Sequence, residues 1–134
     1  EKDLRDVYHL LALLESDAAA AVATQATAEE LTELQALHQE LVSVVGHRER
    51  FFMLNEQFHL RLLEIADNRW RLQMVDDLRK VMKLNRHHSL FKRGRVEESL
   101  QEHAAIVQAL LNRDATAASA GMRAHFASGL EAAH

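Results

Sequence analysis

The chain has no cysteine and no proline, only four glycines, and few aromatic residues: five phenylalanines, one tryptophan and one tyrosine. Without cysteine there are no disulfides and no thiolate ligands, so histidine is the one borderline-soft metal donor present in quantity. Without proline, and with so little glycine, long helices meet few interruptions. Few segments alternate β-branched and aromatic residues as strands do. The longest uncharged stretch, residues 18–28, covers 11 positions, against the ~20 needed to cross a bilayer. No signal peptide pattern is present. The expectation is a soluble cytoplasmic protein with no membrane partner. Sixteen basic residues stand against twenty acidic ones, a net charge of −4. No arginine- or lysine-rich block forms a phosphate-binding face, so these residues alone are not expected to bind DNA tightly.

What remains is rich in helix formers. With 48% hydrophobic residues over 134 positions, the chain can bury one core, which predicts a single domain of all-α class, an antiparallel bundle. Leu4, Val7, Leu11, Leu14, Ala18, Ala21 and Val22 recur every three or four residues, giving an amphipathic helix from residue 2 to about 24. Thr27 and Glu30 form a capping box for a second helix through Leu31, Leu34, Leu37 and Leu41 to Val45, with Gly46 as its stop. A third, roughly 48 to 66, carries Phe51, Leu54, Phe58, Leu62 and Ile65, and Asp67-Asn68 breaks it. The fourth runs from about Arg69 through Trp70, Met74, Leu78, Val81 and Met82 towards Phe91, with Gly94 closing the connection. Trp70, Met74 and Met82 read as core filling. The fifth, about 95 to 112, bears Leu100, His103, Ile106, Val107 and Leu110. The sixth, capped by Asp114, carries Ala118, Met122, His125, Phe126 and Gly129.

Three of the nine histidines fall on or beside apolar helix faces: His59, His103 and His125. Asn55 lies four residues before His59, one turn away on the same face, so its amide oxygen and the imidazole address one point. If the other two helices close on that face, one oxygen and three nitrogens surround a divalent metal ion. This donor set suits zinc or nickel, with manganese open where cellular supply decides. Because all four donors are neutral, the site keeps the metal's +2 charge and favours an anion completing the shell. The other histidines, His9, His38, His47, His87, His88 and His134, show no spacing that suggests a site.

The joint pattern Asn55-Glu56-Gln57-Phe58-His59, Ala66-Asp67-Asn68, Glu102-His103 with Ile106 and Ala109, Asp114, and Met122 with His125 resembles the FCD effector-binding domain of FadR-type GntR transcription regulators. Glu15 and the segment Ala26, Thr27, Glu29, Glu30, Leu31 extend the likeness over essentially the whole chain. The resemblance implies a bundle of six to seven antiparallel helices around a central cavity. It further implies a divalent ion held by Asn55, His59, His103 and His125, with a small carboxylate metabolite beside it. A homodimer is implied as well, with DNA contacted through an N-terminal winged helix-turn-helix that this sequence does not contain. Because the chain opens at Glu1 without methionine, it is expected to be a cropped effector domain or a degenerate member. Many members carry an arginine where this chain has Leu11, so that effector contact is missing or supplied from elsewhere. Arg79 and Arg86 are the nearest cations on the fourth helix for an effector carboxylate.

Two other classes compete. Glu56-Gln57-Phe58-His59 is a Glu-x-x-His unit of the kind that di-iron bundles use twice, but a second unit is missing. A hydrolytic site would also need a general base, and Glu56 and Glu102, adjacent in sequence to ligands, point to other helix faces. A ligand-free helical dimerisation module would explain the helices and leave the histidine set unexplained.

Overall fold

Seven helices follow one another in the computed structural model, which describes residues 2–133: α1 (Lys2–Gln25), α2 (Ala28–Ser43), α3 (Arg48–Ile65), α4 (Arg69–Val81), α5 (Lys83–Leu90), α6 (Arg95–Leu111) and α7 (Ala115–Ala133). Glu1 and His134, the latter one of the six histidines with no assigned site, lie outside the described residues. Among the described residues no strand occurs, and no helix is long and apolar enough to cross a membrane.

Local chemistry accounts for most of the boundaries. The Thr27 hydroxyl accepts the Glu30 N–H at 3.1 Å while the Thr27 N–H donates to the Glu30 carboxylate at 2.9 Å, closing both halves of the capping box that opens α2. The Asn68 side chain accepts the Arg71 N–H at 3.0 Å and starts α4, after Asp67 has turned the chain in the left-handed region at φ 58°. Asp114 caps α7 through the Ala117 N–H at 3.0 Å. Gly94, at φ 81°, makes the turn into α6 that a side chain would strain.

The main core collects Leu11, Ala18 and Val22 from α1, Phe58 and Leu62 from α3, Ile106 and Leu110 from α6, and Met122 from α7. A smaller cluster of Leu41, Phe51, Phe52, Leu54 and Leu90 fills the other end. The most extensive contact is α1 on α7, followed by α6 on α7. At the α6–α7 crossing a Cβ on Gly121 would stand 3.3 Å from Ile106 Cγ1, so this glycine permits the close approach.

The segment after Asn68 departs from the expectation twice. Its helix does not run through to Phe91 but breaks at Met82, whose ψ of 12° interrupts the ladder. No proline or glycine marks the break. Instead, the Arg86 guanidinium reaches back and donates to the Arg79 carbonyl at 2.6 Å, serving an acceptor that a helix end leaves open. Secondly, Trp70 and Met74 are 67% and 52% exposed and do not fill the core; only Met82 packs partly against it. The inward face of α4 carries Arg71, Val75 and Arg79. The two arginines turn inward because buried or nearby carboxylates wait for them, Asp17 for Arg71 and Glu15 for Arg79. Those pairings leave Trp70 and Met74 on the solvent side, while Val75, Leu78 and Met82 pack against the core.

Thr27→Ala should lower the unfolding free energy by about 1 kcal/mol, since it removes one acceptor from the capping box. Urea titration of the purified variant checks this, and an unchanged midpoint would mean that tertiary packing alone holds the start of α2.

Candidate metal centre

The expected closure of three helices on one point is present. His59 of α3, His103 of α6 and His125 of α7 are all buried, and each offers a ring nitrogen within 4.8 Å of the others. Their ring centroids lie 5.1 Å (His59–His103), 5.4 Å (His59–His125) and 4.8 Å (His103–His125) apart. Phe58 lies against His103 at 4.9 Å, and Phe126 flanks His59 and His125, so aromatic walls limit the imidazole rotamers. Asn55, one turn before His59, is buried and lines the same small cavity as His59 and His125.

Two of the three rings are oriented by carboxylates that sequence spacing does not single out. His59 Nδ1 lies 2.6 Å from Glu15 on α1, and His125 Nδ1 lies 2.7 Å from Glu102 on α6. An ionised carboxylate only accepts, so in each pair Nδ1 carries a proton, and Nε2 is the nitrogen that would meet a metal. Glu15 is ionised: burial opposes its charge, but Arg79 and His59 outweigh that and bring its pKa down to about 2. Glu102 is also lowered, with His125 and Arg95 overcoming its burial. Burial holds His103 well below the ordinary histidine value, and takes His125 down to about 4 although Glu102 opposes it. Both rings are therefore neutral at pH 7, the form in which imidazole binds a metal.

The residues present fit a divalent cation. His59 Nε2, both ring nitrogens of His103 and Asn55 Oδ1 are buried and have no hydrogen-bond partner among the described residues. Leaving one such atom unpaired costs about 1–3 kcal/mol, so several of them around one triad mark a place built for something that accepts lone pairs. Tetrahedral ligation at ~2.1 Å places ligand nitrogens ~3.4 Å apart. The triad reaches that spacing with inward shifts of under about an ångström per ring.

Arg79 and Arg86 line the cavity as well, and both are already engaged. Arg79 donates to Glu15 at 2.6 Å and to Glu56 at 2.8 Å. Arg86 donates to Glu56 at 2.5 Å besides the Arg79 carbonyl, while its Nε has no partner among the described residues. Glu56 falls to about 2 because the two guanidiniums overcome its burial, and Arg79 is raised by its two carboxylates despite its own burial. Two cations and two anions thus form a balanced wall. Its arginines border a cavity of about 50 Å³ beside His59 and His125 and also a groove of about 550 Å³ that runs between α3, α4 and α5 over Met53, Leu60, Leu63 and Val75. Phe52, Arg79 and Arg86 belong to both.

Sequence reasoning passes over several members of this centre. Glu15 enters it only through the family resemblance, although a glutamate on the buried stripe between Leu11 and Ala18 is a signal in itself, since a charge there needs a partner. Glu102 points away from its neighbour His103 as expected, but towards His125 of the next helix. Arg95 donates to Glu98 at 2.5 Å and Glu102 at 3.1 Å, one and two turns on along its own helix, and to the His125 carbonyl at 3.4 Å, a contact that no periodicity foretells. Leu11 lies in the core, leaving Arg79 as the cation beside Glu15.

Removing Glu15 leaves Arg79 short of one partner inside the protein, so Glu15→Ala should cost about 3–5 kcal/mol in unfolding experiments. The metal-free protein should also lose stability on acidification in two overlapping ranges. His103 and His125 have folded pKa values below their unfolded ones, so the unfolded chain takes up protons first and stability falls from about pH 6.5 downward, through about 4 for His125. Glu15 and Glu56 are lowered too, and the stability they confer is present above their unfolded pKa and lost as pH falls towards 2. Denaturant melts across pH 7 to 3 measure this; flat stability between pH 6.5 and 5 would contradict the buried, neutral state of the imidazoles.

Among curated proteins no relative matches the chain. The GntR protein of Streptococcus agalactiae is a solved structure that resembles it, with a TM-score of 0.81 at 22% sequence identity. The likeness covers 96% of this chain and 58% of that one, so the chain spans little more than half the length of that relative. At this identity it establishes the shared helical fold. The family model described as the FCD domain matches residues 6–128, a span that contains all four candidate ligands and both arginines of the wall. The chain belongs to the FCD domain family.

Proposed function

We propose that this domain is the ligand-sensing part of a FadR-type GntR transcription regulator, in which Asn55, His59, His103 and His125 hold one divalent metal ion and a small carboxylate metabolite binds beside it. The observation that carries the reading is the set of buried, unpartnered donors on and beside three converging imidazoles, two of them held in one tautomer by carboxylates. The donors favour zinc or nickel, and manganese where supply dictates. A metal bound there supplies a positive centre for an anionic oxygen.

The chain's own residues define how an effector would be received. The inner cavity, at about 50 Å³, is smaller than ordinary metabolite pockets of ~300–1,000 Å³. An effector of ordinary size therefore needs this cavity to enlarge, and the Arg79 and Arg86 side chains, which border the groove as well, are the wall that would move. An effector carboxylate takes the place of Glu56 on a guanidinium, keeping the charge of the wall balanced. Because Arg86 also closes the end of α4, that exchange reaches the joint between α4 and α5. In the full-length homodimer the resulting shift alters the relative placement of DNA-binding segments outside this sequence, so DNA affinity responds to the metabolite. In this reading the protein works in the cytoplasm and performs no catalysis. Glu56 and Glu102, the acids next to ligands in sequence, are committed to Arg79, Arg86, Arg95 and His125, which disfavours a hydrolytic base.

Elemental analysis of untagged protein should find about one equivalent of metal, with a melting temperature several degrees lower after chelation. His103→Ala should reduce the metal to background. Wild-type protein without metal, and with no thermal response to added zinc, nickel or manganese, would sink the metal reading. A thermal-shift screen of small mono- and dicarboxylates, with and without chelator, tests the effector class: stabilisation that vanishes on chelation is expected, and a uniformly flat screen counts against it.

A further inference from the structure

His103 differs from the other two histidines in having no carboxylate behind it. When one ring nitrogen of a neutral imidazole binds a metal, the other is an N–H, and buried N–H groups need an acceptor. Glu15 meets this need for His59 and Glu102 for His125. For His103, which is 0% exposed, neither ring nitrogen has a partner among the described residues.

The helix that closes this side of the ring is α2, which packs on both α3 and α6. His38 sits on its inward face, between Leu34 and Leu41, both in the core. Its ring centroid is 6.2 Å from that of His103, with the planes inclined by 32°. Its Nδ1 is itself buried and without a partner among the described residues. Two neighbouring rings thus carry buried nitrogens that make no direct hydrogen bond to each other, an arrangement that a bridging water satisfies. Spacing along the sequence gives His38 no role, because its relation to His103 arises only when α2 docks on α6.

We propose that His38 is the positioning residue for His103: its Nδ1 accepts, through one bridging water, the proton on the His103 ring nitrogen that does not bind the metal. This rests on the metal reading above and assigns the one outer partner that the carboxylates leave unfilled. A neutral imidazole acting through water is a weaker acceptor than a carboxylate, so His103 would be the least strongly supported of the three ligands.

The test uses untagged protein and zinc alone, with affinity measured by competition against a chromophoric chelator. His38→Phe keeps a ring and removes the acceptor; it should weaken zinc binding about 10–100-fold, the usual effect of losing an outer-shell partner. His38→Gln, which can still accept, should recover most of the affinity. The melting temperature of the metal-free Phe variant should stay near that of wild type, while the increment that zinc adds should shrink. Wild-type affinity in His38→Phe, alongside normal zinc binding by wild type, overturns the role of His38 and leaves the metal centre standing; wild type that binds no zinc overturns both. Should the Phe variant fail to fold, ¹⁵N-histidine NMR of the wild-type zinc form decides. A His103 ring N–H protected from exchange both in wild type and in His38→Gln supports the assignment; exchange as fast as in an exposed histidine overturns it.

Discussion

The buried carboxylate of Glu15 is the interaction on which the rest of the structure depends. One oxygen fixes His59 on α3 and the other holds Arg79 on α4, so a single side chain of α1 ties three helices at the depth of the core. A charge so deep is tolerable only with both partners in place. Arg79 in turn holds Glu56, which holds Arg86, which closes the end of α4. The orientation of an imidazole in the candidate metal centre and the length of a helix at the cavity wall thus belong to one connected chain of ion pairs.

That chain explains why α4 turns Trp70, Met74 and Val81 outward while Val75, Leu78 and Met82 meet the core. Trp70, Met74 and Val81 form a stripe that would ordinarily face the core, and they stand exposed. Turning the stripe inward would strand Glu15 without a cation. It would also expose Val75 and the partly buried Leu72, Leu78 and Met82, so the apolar gains and losses largely offset, and the several kcal/mol of an unpaired buried carboxylate is left to decide. Electrostatics in the centre therefore decides a feature that periodicity alone assigns the other way.

Much of the fold and of the centre is legible in the amino-acid order. The caps at Thr27, Asn68 and Asp114 and the turn at Gly94 follow from chemistry within four residues, and local rules identify them. The histidine set is legible because Asn55 and His59 lie one turn apart and His103 and His125 interrupt apolar stripes, placing polar groups where only a shared purpose justifies them. The resemblance to the FCD domain, drawn from those residues, agrees with the family match. What escapes is tertiary: Glu15 meets His59 across 44 residues, and His38 meets His103 only through the docking of two helices. The break at Met82 escapes for a related reason, since a side chain from the following helix, and no local breaker, ends α4.

The end of α4 has a further consequence. A helix closed by glycine stops in the same place whatever surrounds it, because its stop is steric. This one is closed by a guanidinium that also answers to Glu56, so the stop is electrical. Any anion that draws Arg86 away uncaps the Arg79 carbonyl, and the backbone must then find water or wind on into the next turn. The joint between α4 and α5 thus rests on a charged contact: the side chain that meets the Arg79 carbonyl is the one that Glu56 holds.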